Sequence, residues 1–184
     1  MTPLTLKRLY VVFTIRSVWL VTEDLLKRAY ELGFKYERDY RNCAQCTYAA
    51  VRDVLGIGSD DVFKAAYGLS GGSASLGTGN CGAYSGGILA ISSKYGRKRL
   101  TDERTTTTRE LSRKLYERFV DEYGSCICHD IQRRIFGRTF DLWDPKDREE
   151  FEKAGGHIDK CPSVVGKAAK WVTEILLDAE KTKP

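Results

Sequence analysis

Alternating apolar and polar side chains, the signature of a half-buried strand, are nearly absent outside residues 9–21, which leaves little from which to build a sheet. Proline is scarce too, with four in 184 residues, so few helices need be interrupted. No run reaches the ~18–20 apolar residues of a membrane-spanning helix. The most apolar stretch, Leu9 to Val21, is broken by Arg16. The same arginine argues against an export signal, as does the lack of a small-x-small cleavage site, despite Lys7 and Arg8 ahead of the stretch. Nor is there a strong excess of one charge. The formal net charge is +5, and Lys7, Arg8 and Arg16 supply much of it, so a nucleic-acid partner gains no support. A phosphate loop is missing as well. Gly72-Ser73-Ala74-Ser75-Leu76-Gly77 is followed by Thr78-Gly79 where the motif needs lysine and a hydroxyl residue.

What remains is helical. Hydrophobic content of 42% and charged content of 30% are ordinary for a globular chain long enough to build its own core. From Thr22, a cap followed by Glu23 and Asp24, a stripe of Leu25, Leu26, Ala29, Tyr30 and Phe34 predicts a first helix. The abrupt change at Val21 sets residues 1–21 apart as an N-terminal extension, with translation expected to start at Val21, and 22–184 as one helical domain. Asn42 caps a helix from Cys43 to Leu55. Ser59 opens a short one with Phe63, Ala66 and Tyr67 expected inward. Five glycines between Gly68 and Asn80 then form a loop. Cys81 to Tyr95 follows, its Gly82, Gly86 and Ala90 four apart, so that another helix backbone can approach closely. After a threonine-rich connection, Leu111, Leu115, Phe119 and Tyr123 mark a long amphipathic helix. Ser125 opens a segment ending near Gly137, Asp144-Pro145 starts a short helix to Lys153, and Cys161-Pro162 starts the last. The reading is an all-α, single-domain bundle of about six to seven helices with a glycine-rich loop.

Six cysteines are more than such a core requires, and nothing else looks secreted, so metal binding or redox chemistry in a reducing compartment is the expectation. Cys43, Cys81 and Cys161 fall at helix starts and Cys128 within a turn of one. Free N–H groups and the helix dipole there lower a thiol's pKa and suit an anionic iron–sulfur cluster. Taken singly, each could equally be a small core residue; four in like positions point to a shared site. Cys43-Ala44-Gln45-Cys46 is formally Cys-x-x-Cys but lacks the strand–helix–strand context of thioredoxins, which leaves Cys46 as a resolving thiol or a core residue. Cys126 reads as an extra. His129 and His157 lie close enough in sequence to Cys128 and Cys161 to replace a thiolate at a metal, though a lone histidine near a loop is more often a surface residue. Arg133, Arg134 and Arg138 fit a solvated helix face as well as a partner surface.

Cys43, then Cys81-Gly82-Ala83-x-x-Gly86, then Gly124-Ser125-x-x-Cys128, then Cys161-Pro162 resembles a family described as redox-active and named for a C…GCAxxG…C…C pattern. The name transposes Gly and Cys relative to this chain, and the resemblance covers Thr22 to about Leu177. It implies a helical, cytoplasmic bacterial or archaeal protein whose four shared cysteines form the site. The chain is also similar to the cluster-bearing part of split-Soret cytochromes, which implies iron–sulfur binding, with [2Fe–2S] favoured; it lacks Cys-x-x-Cys-His and so any covalent haem. The expected function is therefore redox, through Cys43, Cys81, Cys128 and Cys161 as cluster ligands or as thiols cycling with disulfides, served by a redox partner protein. The other reading is a zinc-stabilised scaffold using the same four cysteines. Neither nucleic acid nor membrane is an expected partner, and oligomerisation is left open.

Overall fold

The computed structural model describes the backbone from Pro3 to Lys181 and the side chains from Leu20 to Lys181. Within these bounds it is all-helical, with eight α-helices: α1 (Pro3–Tyr40), α2 (Cys43–Leu55), α3 (Asp60–Ala65), α4 (Gly82–Tyr95), α5 (Thr107–Tyr123), α6 (Cys128–Phe136), α7 (Pro145–Lys153) and α8 (Cys161–Lys181). A 3-10 turn, Tyr67–Leu69, follows α3, and a π-helical turn, Gly156–Lys160, leads into α8. The count is slightly above the six to seven expected. The caps are those the sequence announces. Asn42 accepts from the Gln45 N–H and Ser59 from the Val62 N–H, while Asp144 accepts from Lys146 with Pro145 at the first helical position. Gly56, Gly124 and Gly137 close their helices in the left-handed conformation that glycine adopts without steric cost.

Two expectations fail here. Thr22 does not begin a helix; it lies in the middle of α1, and residues 9–21 are helical rather than strand-like. No glycine or proline stands between Leu4 and Leu32, so nothing interrupts the hydrogen-bond ladder, and a capping residue caps only where the preceding chain is not itself helical. Tyr67, expected inward, is 68% exposed, because the 3-10 turn rotates it away from α3.

α8 is the central element, packed against α1, α2, α4 and α5. Val164, Val165, Ala168, Ala169, Val172, Ile175 and Leu176 bury most of its circumference. The closest approaches use small residues. A Cβ on Gly33 of α1 would meet the Val165 carbonyl and Gly166 of α8, and one on Gly86 of α4 would overlap the Ala44 carbonyl of α2. Behind these crossings Phe119 of α5 is fully buried, with Tyr84, Tyr123 and Trp171 ringed about it at centroid distances of 5.4–5.8 Å. Among the described residues, no helix is long and apolar enough to cross a membrane.

Candidate functional site: a cysteine-lined cavity

The small face of α4 sets the site. Gly82 lies directly against α2, where a Cβ would strike the Cys43 sulfur and the Ala44 N–H, and four residues on Gly86 meets the Ala44 carbonyl. One turn of α4 is thus pressed onto the first turn of α2, and Cys81, immediately ahead of Gly82, comes within hydrogen-bond reach of the Cys43 thiol. Cys128 arrives by another route. The chain before α4 and the chain before α6 form a short antiparallel bridge at Asn80 and Ile127. In it Cys81 donates to the Cys126 carbonyl at 2.8 Å, Cys128 to Gly79 at 3.0 Å and His129 to Gly77 at 2.9 Å. Cys161 is supplied by α8, the element that α1, α2, α4 and α5 pack against.

The four motif cysteines, with Cys46, line a single cavity of about 770 Å³ whose wall also includes Glu37, Arg41, Gln132, Glu152 and His157. Cys126 is not in this wall; its thiol faces the Asn80 side chain at 3.4 Å. Nor is His129, whose ring packs on Gly77, whereas His157 lines the cavity. Arg133 pairs with Asp130 at 2.7 Å on the outer face of α6, and Arg138 with Asp147.

The electrostatics reverse one expectation. The thiols were expected to be acidified by helix N-termini, yet those with a resolved shift all move up. Cys43 is raised well above an ordinary thiol by its hydrogen bond to Cys81 and by burial, with the Gly71 N–H pulling the other way. Burial raises Cys161, and Cys128 to about 12. A helix terminus stabilises a thiolate by a fraction of what desolvation takes away. At Cys161 the terminus is not even free, since its N–H is already given to the Gly156 carbonyl within the π turn. Metal-free, Cys43, Cys128 and Cys161 are neutral thiols at neutral pH.

Two residues of the wall escaped the sequence reading. Gln132, buried on α6 one turn after Cys128, directs its amide N–H toward the Cys128 sulfur at 3.8 Å while its carbonyl accepts from Phe140 at 2.9 Å. Glu37 is 2% exposed. It continues the Leu26, Ala29, Gly33 stripe of α1, and a carboxylate in phase with an apolar stripe was the available signal. Burial pushes its carboxyl up to about 8 against the opposing pull of Cys46 and Arg41. Beside it, Cys46 donates to the Arg41 carbonyl at 3.0 Å, and burial followed by the Glu37 charge raises its thiol far up.

The glycine loop forms the roof. Gly71 and Gly72, then Ser73, Ala74 and Ser75, all have positive φ (61, 78, 65, 49 and 59°), a left-handed turn that brings the Gly71 N–H to Cys43. Indole Nε1 of Trp143 holds this turn from outside by donating to the Ala74 carbonyl at 2.8 Å.

An all-helical chain that gathers four cysteines from the starts of four helices around one cavity belongs to the class of cysteine-motif helical domains. Residues 41–175 match the family described as "Putative redox-active protein (C_GCAxxG_C_C)", and the chain belongs to that family. No curated protein and no solved structure matches the chain.

Proposed function

We propose that the protein transfers electrons by means of an iron–sulfur cluster, [2Fe–2S], held by Cys43, Cys81, Cys128 and Cys161. The observation that carries this reading is that all four family-motif thiols, widely separated in sequence, line one cavity. The donor set fits: four cysteine thiols are the ligands such clusters take, giving up their protons to metal on binding. Among the described residues no three His, Cys, Asp or Glu side chains meet closely enough for a single ion.

When bound, the cluster supplies one-electron redox chemistry. The chain's own residues hold and tune it. The Gly71 N–H and the Gln132 amide stand toward the sulfurs of Cys43 and Cys128, where N–H groups stabilise negative charge on sulfur. The missing side chain of Gly82 leaves room for the Cys43 sulfur. The redox partner is a separate electron-transfer protein.

A second reading rests on the Cys43–Cys81 contact. The two thiols could close a disulfide, forming one S–S bond, breaking two S–H bonds and releasing two electrons and two protons to a dithiol–disulfide partner. Anaerobic purification with iron, sulfide and zinc analysis and a visible spectrum separates the readings. The cluster reading expects about two irons and two sulfides per chain with charge-transfer bands. Serine at any of the four motif positions should abolish them, while Cys126→Ser leaves them intact. Colourless protein with stoichiometric zinc overturns redox activity, and metal-free protein with a reversible two-electron thiol couple favours the disulfide.

A further inference from the structure

Ile135 and Val164, part of the wall of the cysteine cavity, also line a second recess, a cleft of about 360 Å³. Its size falls within the range of small-molecule sites, roughly 300–1,000 Å³. Four elements enclose it, and each brings a hydrogen-bond donor. Tyr123 comes from the end of α5, Arg134 from α6, Lys160 from the π turn, and Ser163 and Lys167 from the first two turns of α8. Two of the three cations are already matched by carboxylates of the same wall. Lys167 pairs with Glu122 and stands over the Tyr123 ring at 5.7 Å, and Lys160 lies 3.9 Å from Asp159. Arg134 is the cation left over. Among the described residues its guanidinium has no ion pair or hydrogen bond, whereas Arg133 beside it is held by Asp130 at 2.7 Å. Tyr123 is the second unmatched donor. It is 7% exposed and its hydroxyl has no hydrogen-bond partner, which costs free energy in a folded protein unless something supplies an acceptor.

We infer that this cleft is a binding site for a phosphate group, as the free anion or as the ester of a small molecule, independent of what the cysteines hold. The chemistry follows from the donors. Arginine and lysine only donate, and tyrosine and serine hydroxyls are able to, so the ligand must bring acceptors and negative charge. A guanidinium presents its N–H groups as a planar fork that matches two oxygens of a phosphate at once. Phosphate then has a further oxygen for the Tyr123 and Ser163 hydroxyls, which a carboxylate gripped by the same fork lacks. The two wall carboxylates do not compete for this role. Glu122 stays with Lys167, and Asp159 folds back over Gly155, its Oδ1 lying against the space a Cβ there would take.

The test is calorimetric titration of the purified full-length protein with ribose 5-phosphate, inorganic phosphate and ribose, for wild type, Arg134→Gln, Tyr123→Phe and Arg133→Gln. Wild type should bind a phosphate-bearing probe saturably, at one site per chain, and ribose not at all. Arg134→Gln should weaken that binding by about tenfold or more, as the loss of a charge-assisted hydrogen bond requires, and Tyr123→Phe should weaken it several-fold. Arg133→Gln removes the same charge one residue away, outside the cleft, and should bind as wild type does. Tighter binding of ribose 5-phosphate than of inorganic phosphate bears out the site as one for an ester; equal binding bears it out as one for the anion. Equal weakening by Arg134→Gln and Arg133→Gln would reduce the effect to net charge and overturn the inference. Wild-type affinity in Arg134→Gln overturns it too, as does the absence of saturation by either phosphate-bearing probe. Arg134 is exposed, so its variant should keep the wild-type melting temperature, and the comparison with Arg133→Gln decides the matter even if Tyr123→Phe does not fold. Iron and sulfide content, on which the cluster reading depends, is measured separately and is untouched by any of these outcomes.

Discussion

Glu37 shows how much one side chain's setting can change its chemistry. In water a glutamate is an anion at neutral pH; here burial holds the proton up to about 8. Because the folded state binds this proton more tightly than the unfolded chain, whose carboxyl titrates near pH 4.3, the stabilisation is complete below that value. It is lost as pH rises through the folded pKa, at up to about 1.4 kcal/mol per pH unit. Metal-free wild type should therefore lose stability to urea between about pH 4.5 and 8, and Glu37→Gln should not show that loss; parallel curves for the two proteins would contradict the burial argument. At this scale the sequence was half informative. The four cysteines stand out because their type is rare and their positions recur, so they could be named without a structure. Glu37 and Gln132 are common residue types, and only the phase of their helices relative to a cavity gives them meaning. The direction of the thiol shifts was misjudged for a related reason: a helix start can be read from Asn42 or Pro162, but the depth at which it is buried cannot.

Among the elements, the pairing of α2 with α4 is the contact on which the site depends, and it was readable in advance. Gly82, Gly86 and Ala90 at four-residue spacing announced a face made for close approach, and the Ala44 carbonyl fills the space that a Cβ on Gly86 would take. Gly86→Ala should cost about 1–3 kcal/mol of stability through forced backbone separation, measured by denaturant midpoint. Gly82→Ala should act more locally, displacing the Cys43 sulfur; on the proposed cluster reading, iron retained on purification should then fall much further than the melting temperature does, and equal retention by the variant would show that the sulfur has room to move. α1 was misread because capping residues are only conditional signals, and nothing between Leu4 and Leu32 obliges the helix to stop. The π turn before Cys161 was missed because Gly155-Gly156 marks a break without specifying what fills it. Gly155 takes φ 87° and the next five residues wind on into α8.

For the molecule as a whole, the core lies where the periodicities placed it. Leu111, Leu115, Phe119 and Tyr123 line up on α5 as their spacing predicts, and all four are buried. Phe119→Ala, removing the ring at the centre of that aromatic group, should cost about 3–5 kcal/mol, read from the shift in urea midpoint; a much smaller loss would mean that the surrounding rings collapse into the gap. All-α architecture was recoverable because helical repetition is local. The meeting of the four cysteines was expected only from their shared positions and a family likeness, since contacts between distant segments leave no periodic trace. That α8 both runs through the centre of the bundle and carries Cys161 also bears on biosynthesis. Cys43, Cys81 and Cys128 leave the ribosome first, and the fourth thiol arrives on the helix against which α2 and α4 pack. A group that binds all four cannot be fully seated on a partly made chain, so occupancy of the site doubles as a report that the bundle has closed.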